Sequence, residues 1–142
     1  MVQRLKASLV VGTRPEAIKI APIVLAMNAA SDRFEPQLVS TGQHRAMLDR
    51  AFGDLGISPE RDLNVMRDRQ TLPELTSRVM LGVSELLETE RPDLLVVQGD
   101  TTVRRHINWN NLRPDLKEDL DHLVQDIRRR VCGIAIAVSP SF

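Results

Sequence analysis

Apolar residues occur along this chain in two kinds of run. Short continuous runs stop at glycine or at polar turn residues, and longer ones repeat at three- and four-residue spacing. The first short run, LKASLVV at residues 5–11, stops at Gly12 and predicts a buried parallel strand. FEPQLVS at 34–40 predicts a second strand, and LLVV at 94–97, between Pro92-Asp93 and Gln98-Gly99-Asp100-Thr101-Thr102, a third. Leu63 with Val65, and the apolar residues 132–138, suggest two further short strands.

The longer runs predict helices between them. After the tight loop Thr13-Arg14-Pro15-Glu16, the segment AIKIAPIVLAMNAA is densely apolar, with Ile18, Ala21, Ile23, Leu25 and Ala26. Thr13 or Arg14 falls at the N-cap, Pro15 suits the first turn, and Glu16 sits where the helix dipole favours a carboxylate. Pro22 predicts a kink or an early irregularity. Arg45 to Leu55 predicts a second helix with Met47, Leu48, Ala51, Phe52 and Leu55 on one face, ended by Gly56 and Pro59. Thr71 to Glu90 is the clearest helix. Thr71 and Glu74 make a capping box, and Leu75, Val79, Leu81, Val83, Leu86 and Leu87 supply the buried face.

Alternating strands and helices imply right-handed crossovers and a parallel sheet, hence an α/β fold. Ligands of such sheets bind beyond the carboxyl ends of the strands. That rule gathers three loops on one rim: 12–16, 41–44 and 98–102.

The pattern changes after Val103. RRHINWNN at 104–111 is polar and without period, whereas 115–131 is amphipathic, with Leu116, Leu120, Leu123, Ile127 and Val131 at helical spacing. The expected organisation is therefore a lobe at 1–103 and a divergent tail at 104–142.

Composition narrows the function classes. An apolar fraction of 42% supports a packed core, and 142 residues suit one domain. Lys+Arg and Asp+Glu are both 19, so net charge gives no reason to expect nucleic acid or an anionic membrane as partner. The run Arg128-Arg129-Arg130 reads as a solvated helix end. Aromatics make up 3%, too few for base-stacking platforms. Cys132 is the single cysteine, which excludes an intrachain disulfide and a structural zinc site built on several cysteines. The apolar stretch before Gly12 is too short for a signal peptide or a membrane span. A cytoplasmic protein without metal is expected.

Three loops carry residues suited to chemistry. In the first, Gly12 permits a sharp turn, the N–H groups of the next helix start attract anions, and Arg14 adds a fixed charge shaped for phosphate oxygens. Lys19 lies one turn further along. An ordinary strand-to-helix turn with solvated Arg14 and Lys19 accounts for the spacing equally well. Neither the Walker pattern nor G-x-G-x-x-G is present. In the second, Asp100 ends a strand beside Gly99, placed to act as a general base or to bind a sugar hydroxyl, or simply to cap the next helix. In the third, Gln43 and His44 offer hydrogen bonds and a titratable ring, although a purely local bond at the helix start is the more ordinary reading of His44. His106 and His122 read as surface residues.

Four ordered segments, GTRPEAIKIAP at 12–22, TGQHRAMLD at 41–49, DLNVMRDRQTLPELTSR at 62–78 and PDLLVVQGDTT at 92–102, resemble the non-hydrolysing UDP-N-acetylglucosamine 2-epimerase family. The resemblance covers residues 1–103. It implies a Rossmann-like parallel sheet with flanking helices, forming one lobe of a glycosyltransferase-B-like two-lobe fold with the active site between the lobes. It implies an isomerase that interconverts UDP-N-acetylglucosamine and UDP-N-acetylmannosamine, eliminating UDP to a 2-acetamidoglucal and adding it back after the C2 proton changes face. No redox cofactor is implied. The expected partners are UDP or a UDP-sugar and a second copy of the chain in a homo-oligomer, usually a dimer. By position in the motifs, Arg14 and Lys19 would be the cationic substrate-binding residues, Asp100 the acidic residue for proton transfer, and Gln43 and His44 a substrate-binding loop.

The sequence departs from the family pattern after Val103. The H-V-E-A-G-L-R block expected beyond G-D-T-T is absent, as are the later glutamates and the second lobe. The resemblance therefore predicts a truncated chain that lacks epimerase activity by itself. A non-catalytic nucleotide- or phosphate-binding module, or a remnant that associates with another chain, is the alternative reading.

Overall fold

The computed structural model describes residues 3–98 and 134–138. Its elements run β1 (Leu5–Val11), α1 (Arg14–Ala29), β2 (Phe34–Ser40), α2 (Arg45–Leu55), β3 (Arg61–Asp62), α3 (Leu72–Glu90), β4 (Leu94–Gln98) and β5 (Ile134–Val138). They form one sheet in the order β3-β2-β1-β4-β5. β1, β2, β3 and β4 are parallel, with Leu9 opposite Leu38 on one side and Val96 on the other. This is the parallel α/β arrangement that strand and helix alternation predicts, and the Rossmann-like sheet that the resemblance implies. β5 differs: it runs antiparallel to β4, so the sheet is parallel only over its first four strands.

The central strands are buried on both faces, as their unbroken apolar character requires. Leu9, Val11, Leu38, Leu94 and Val96 face one cluster with Ile20, Val24 and Met27 of α1 and Leu48 and Phe52 of α2. Val10, Val39, Leu95 and Val97 face the other, with Val79, Val83 and Leu86 of α3. The period-two alternation of strand side chains thus puts α1 and α2 on one face and α3 on the other.

Three expectations are corrected by this packing. Met47, expected on the common apolar face of α2, is exposed because the helix buries only the stripe that meets the sheet, and Ile18 and Leu25 of α1 are exposed for the same reason. Leu81 of α3 is 71% exposed, since the buried stripe follows Val79, Val83 and Leu86 at i, i+4 and i+7 and Leu81 falls between them. The third strand lies at Arg61–Asp62 rather than at Leu63 and Val65. Those two residues continue its direction through single bonds, with the Leu63 N–H donating to Ser40 O and the Val65 N–H to Thr41 O.

Pro22 does not split α1, which runs as one element from Arg14 to Ala29. The proline sits on the exposed side of the helix, where the carbonyl it leaves unpaired can turn to water. The capping box at Thr71 and Glu74 forms as predicted. Gly56 closes α2 with φ of 69°, a left-handed conformation that costs glycine little. The amphipathic segment 115–131 and the boundary at Val103 lie outside the described residues.

Candidate functional site

Sheet order reverses direction at β1, which has β2 on one side and β4 on the other. Open parallel sheets bind ligands at such a point, beyond the carboxyl ends of the strands. Here the residues at that edge are Gly12 and Thr13 after β1, Thr41 to His44 after β2, and Gln98 at the end of β4. Two of the three predicted loops therefore meet on one rim. The third begins at Gln98, which is buried, and its remainder, including Asp100, lies outside the described residues.

Gly12 brings the first two loops into contact. A side chain there would place its Cβ 2.8 Å from Gln43 Oε1, 3.0 Å from Thr41 Oγ1 and 3.4 Å from Glu16 Oε2. Glycine suits this close approach, since Gln43 Oε1 and Thr41 Oγ1 crowd the space a Cβ would take and Glu16 Oε2 stands at contact distance. Thr41 is anchored on both sides: its N–H donates to Val11 O at 2.9 Å and its carbonyl accepts the Val65 N–H at 3.0 Å.

Glu16 organises the helix start. Thr13 is the N-cap of α1 in extended conformation. The Glu16 carboxylate, 6% exposed, accepts the Gly12 N–H at 2.6 Å and the Thr13 N–H at 3.1 Å. The T-x-x-E pattern that marks α3 recurs here, so this contact had a signal in the sequence. It alters the expected anion site: two N–H groups that would have faced a phosphate are already bound to a carboxylate. Burial pushes the Glu16 pKa up, and the hydrogen bonds from Gly12, Thr13 and the Thr13 hydroxyl offset part of that rise.

Arg14 is the first residue of α1 and is exposed; Lys19 lies on the exposed side of the same helix. Gln43 is half-buried. His44 is exposed and is the N-cap of α2 with φ of 46°, in the left-handed region, and its side chain makes no capping bond. The local side-chain bond expected of His44 at the helix start is therefore not made, and its carbonyl accepts the Met47 and Leu48 N–H groups instead. Gly42 precedes it with φ of 80°, a conformation suited to glycine.

A second pair of loops braces this turn. Arg45 Nη2 lies 2.8 Å from Asp62 Oδ2 and donates to Asn64 Oδ1 at 3.1 Å. Asp62 Oδ1 also accepts the Asn64 N–H at 2.8 Å. Sequence reading did not connect Arg45, Asp62 and Asn64, because only the β2–β3 register brings them together. No group of three or more His, Cys, Asp or Glu residues suited to a metal occurs among the described residues. No helix among them is long and apolar enough to cross a membrane.

The matching family model is described as UDP-N-acetylglucosamine 2-epimerase and covers residues 26–104. A UDP-N-acetylglucosamine 2-epimerase of Bacillus subtilis is 44% identical over 101 residues, which are 71% of this chain and 26% of that protein. Among solved structures, a protein of Listeria monocytogenes described as a UDP-N-acetylglucosamine 2-epimerase is 48% identical with a TM-score of 0.66. The match covers 71% of this chain and 26% of that one. The Neisseria meningitidis enzyme, solved bound to UDP-N-acetylglucosamine, is 39% identical with a TM-score of 0.63, covering 69% and 27%. The chain thus spans about a quarter of the length of the relatives it matches. Its fold is that of one Rossmann-like lobe of their glycosyltransferase-B-like architecture.

Proposed function

Since this chain belongs to the UDP-N-acetylglucosamine 2-epimerase family, we propose that it forms the sugar-facing rim of a UDP-N-acetylglucosamine 2-epimerase site and does not turn over substrate by itself. The observation that carries this reading is the contact of the 12–16 and 41–44 loops at Gly12, on the rim where parallel sheets bind ligands.

Arg14 and Lys19 supply positive charge beside the rim, suited to the negative charge that gathers on UDP as its bond to C1 breaks. Gln43 and His44 bind the sugar nucleotide from the α2 side. Asp100 takes the C2 proton. Loss of that proton and departure of UDP leave a 2-acetamidoglucal. Return of a proton to the other face of C2, and of UDP to C1, completes the epimerisation with atoms and charge conserved. No cofactor enters this sequence.

The matched segment is about a quarter of the relatives' length, a ratio that supports the inactive state of these residues alone. Catalytic groups must be placed within fractions of an ångström, and removing one wall of a cleft costs orders of magnitude in rate. The same length ratio favours a second reading, in which the chain binds UDP or a UDP-sugar without chemistry. It does so as a nucleotide-binding module, alone or in a homo-oligomer. A coupled epimerase assay together with calorimetric titration of UDP-N-acetylglucosamine and UDP tests both. Binding without turnover supports the proposal; ordinary turnover removes the claim of inactivity, and no binding of either ligand removes the site.

A further inference from the structure

Thr41 is 3% exposed, and its hydroxyl meets no hydrogen-bond partner among the described residues. Buried hydroxyls are nearly always paired, and an unpaired one weakens the fold that contains it. Nothing allows this one to move away by a backbone adjustment. The Thr41 N–H is held by Val11 O, and the Thr41 carbonyl holds the Val65 N–H. The backbone that carries the hydroxyl is thus held at the corner where the start of α1 meets the 41–44 loop.

The chemistry of that corner is specific. Around the vacant Cβ position of Gly12 stand Thr41 Oγ1, Gln43 Oε1 and Glu16 Oε2. The Gly12 and Thr13 N–H groups, which would attract an anion, are already bound to Glu16. An oxygen-rich corner with a carboxylate in it repels phosphate and suits a ligand that donates hydrogen bonds. The hydroxyl and amide N–H groups of an acetamido sugar are such donors.

We propose that the Thr41 hydroxyl is a ligand-contacting group, binding a hydroxyl or amide N–H of the hexose and not the diphosphate. This rests on the nucleotide-sugar reading above. Gln43, the half-buried member of the corner, turns toward the ligand and gives its place beside Thr41 to the sugar.

Thr41→Val keeps the shape and removes the hydroxyl, and Thr41→Ser keeps the hydroxyl. In the 142-residue chain, Thr41→Val is expected to weaken UDP-N-acetylglucosamine binding by about 3- to 10-fold, the value of one hydrogen bond. UDP affinity stays unchanged and the Tm of the free chain does not fall. Thr41→Ser retains the affinity for both ligands within about 2-fold. The inference is overturned if Thr41→Val binds the sugar nucleotide as the wild type does. It is overturned equally if UDP and UDP-N-acetylglucosamine weaken together, or if Tm drops or the variant fails to fold, because the hydroxyl then serves the fold. Wild-type chain that binds neither ligand defeats the underlying site reading, and this inference with it.

Discussion

The Glu16 carboxylate accepts the backbone N–H of Gly12 at 2.6 Å, tying the first turn of α1 back to the residue that ends β1. The bond is buried and its acceptor is a carboxylate whose pKa is raised by that burial. Two consequences are measurable. Glu16→Ala leaves the Gly12 and Thr13 N–H groups without their acceptor and costs about 1–3 kcal/mol. Glu16→Gln retains an acceptor oxygen and costs less. Urea denaturation of the two variants decides the order.

The same carboxylate gives stability a pH dependence of defined sign. Its folded-state pKa lies above the ordinary value, so the native state holds the proton more tightly than the unfolded chain. This contribution is fully present below the unfolded pKa and is lost as pH rises through the raised one. The stability difference between wild type and Glu16→Gln should therefore shift against the wild type over that window. Denaturation curves from pH 4 upward measure it; a flat difference would show that Glu16 titrates normally.

Gly12→Ala sets a Cβ against Gln43 Oε1 and Thr41 Oγ1, at 2.8 and 3.0 Å. Gln43 is the end of a flexible side chain and swings away; Thr41 is clamped and cannot. The expected cost is about 1–3 kcal/mol from overpacking, together with loss of ligand affinity. Thermal unfolding and calorimetry report the two effects separately.

Gly42 and Arg45 should behave differently although they adjoin. Gly42→Ala forces a side chain into φ of 80° and against Asp62 Oδ1 at 2.8 Å, costing about 1–2 kcal/mol or more. Arg45→Ala removes an ion pair whose partners are 52% and 39% exposed, worth about 0–1 kcal/mol. Equal losses in chemical denaturation would mean that the loop is held by charge and not by backbone conformation.

Much of this architecture is legible in the sequence because it rests on local signals. The runs at 5–11, 34–40 and 94–97 are strands where the apolar pattern places them, and Thr71 with Glu74 caps α3 as the spacing predicts. Helix faces were less legible. Met47 and Leu81 are apolar yet exposed, since hydrophobicity alone does not say which stripe meets the sheet. The site was legible as a set of loops but not as a contact. That Gly12 packs under Gln43 and Thr41 follows from the parallel pairing of β1 with β2, which brings residues some thirty positions apart to one rim. The antiparallel direction of β5 had no sequence signal, because a short apolar run carries no direction.

The most direct test of the proposed rim is an amide-resolved NMR titration of the chain with UDP-N-acetylglucosamine. The account predicts saturable shifts concentrated at Gly12 to Glu16 and at Thr41 to His44, with the exposed α3 positions near Leu81 unmoved. Shifts that never saturate, or that gather on α3 and leave the two loops unchanged, would contradict it.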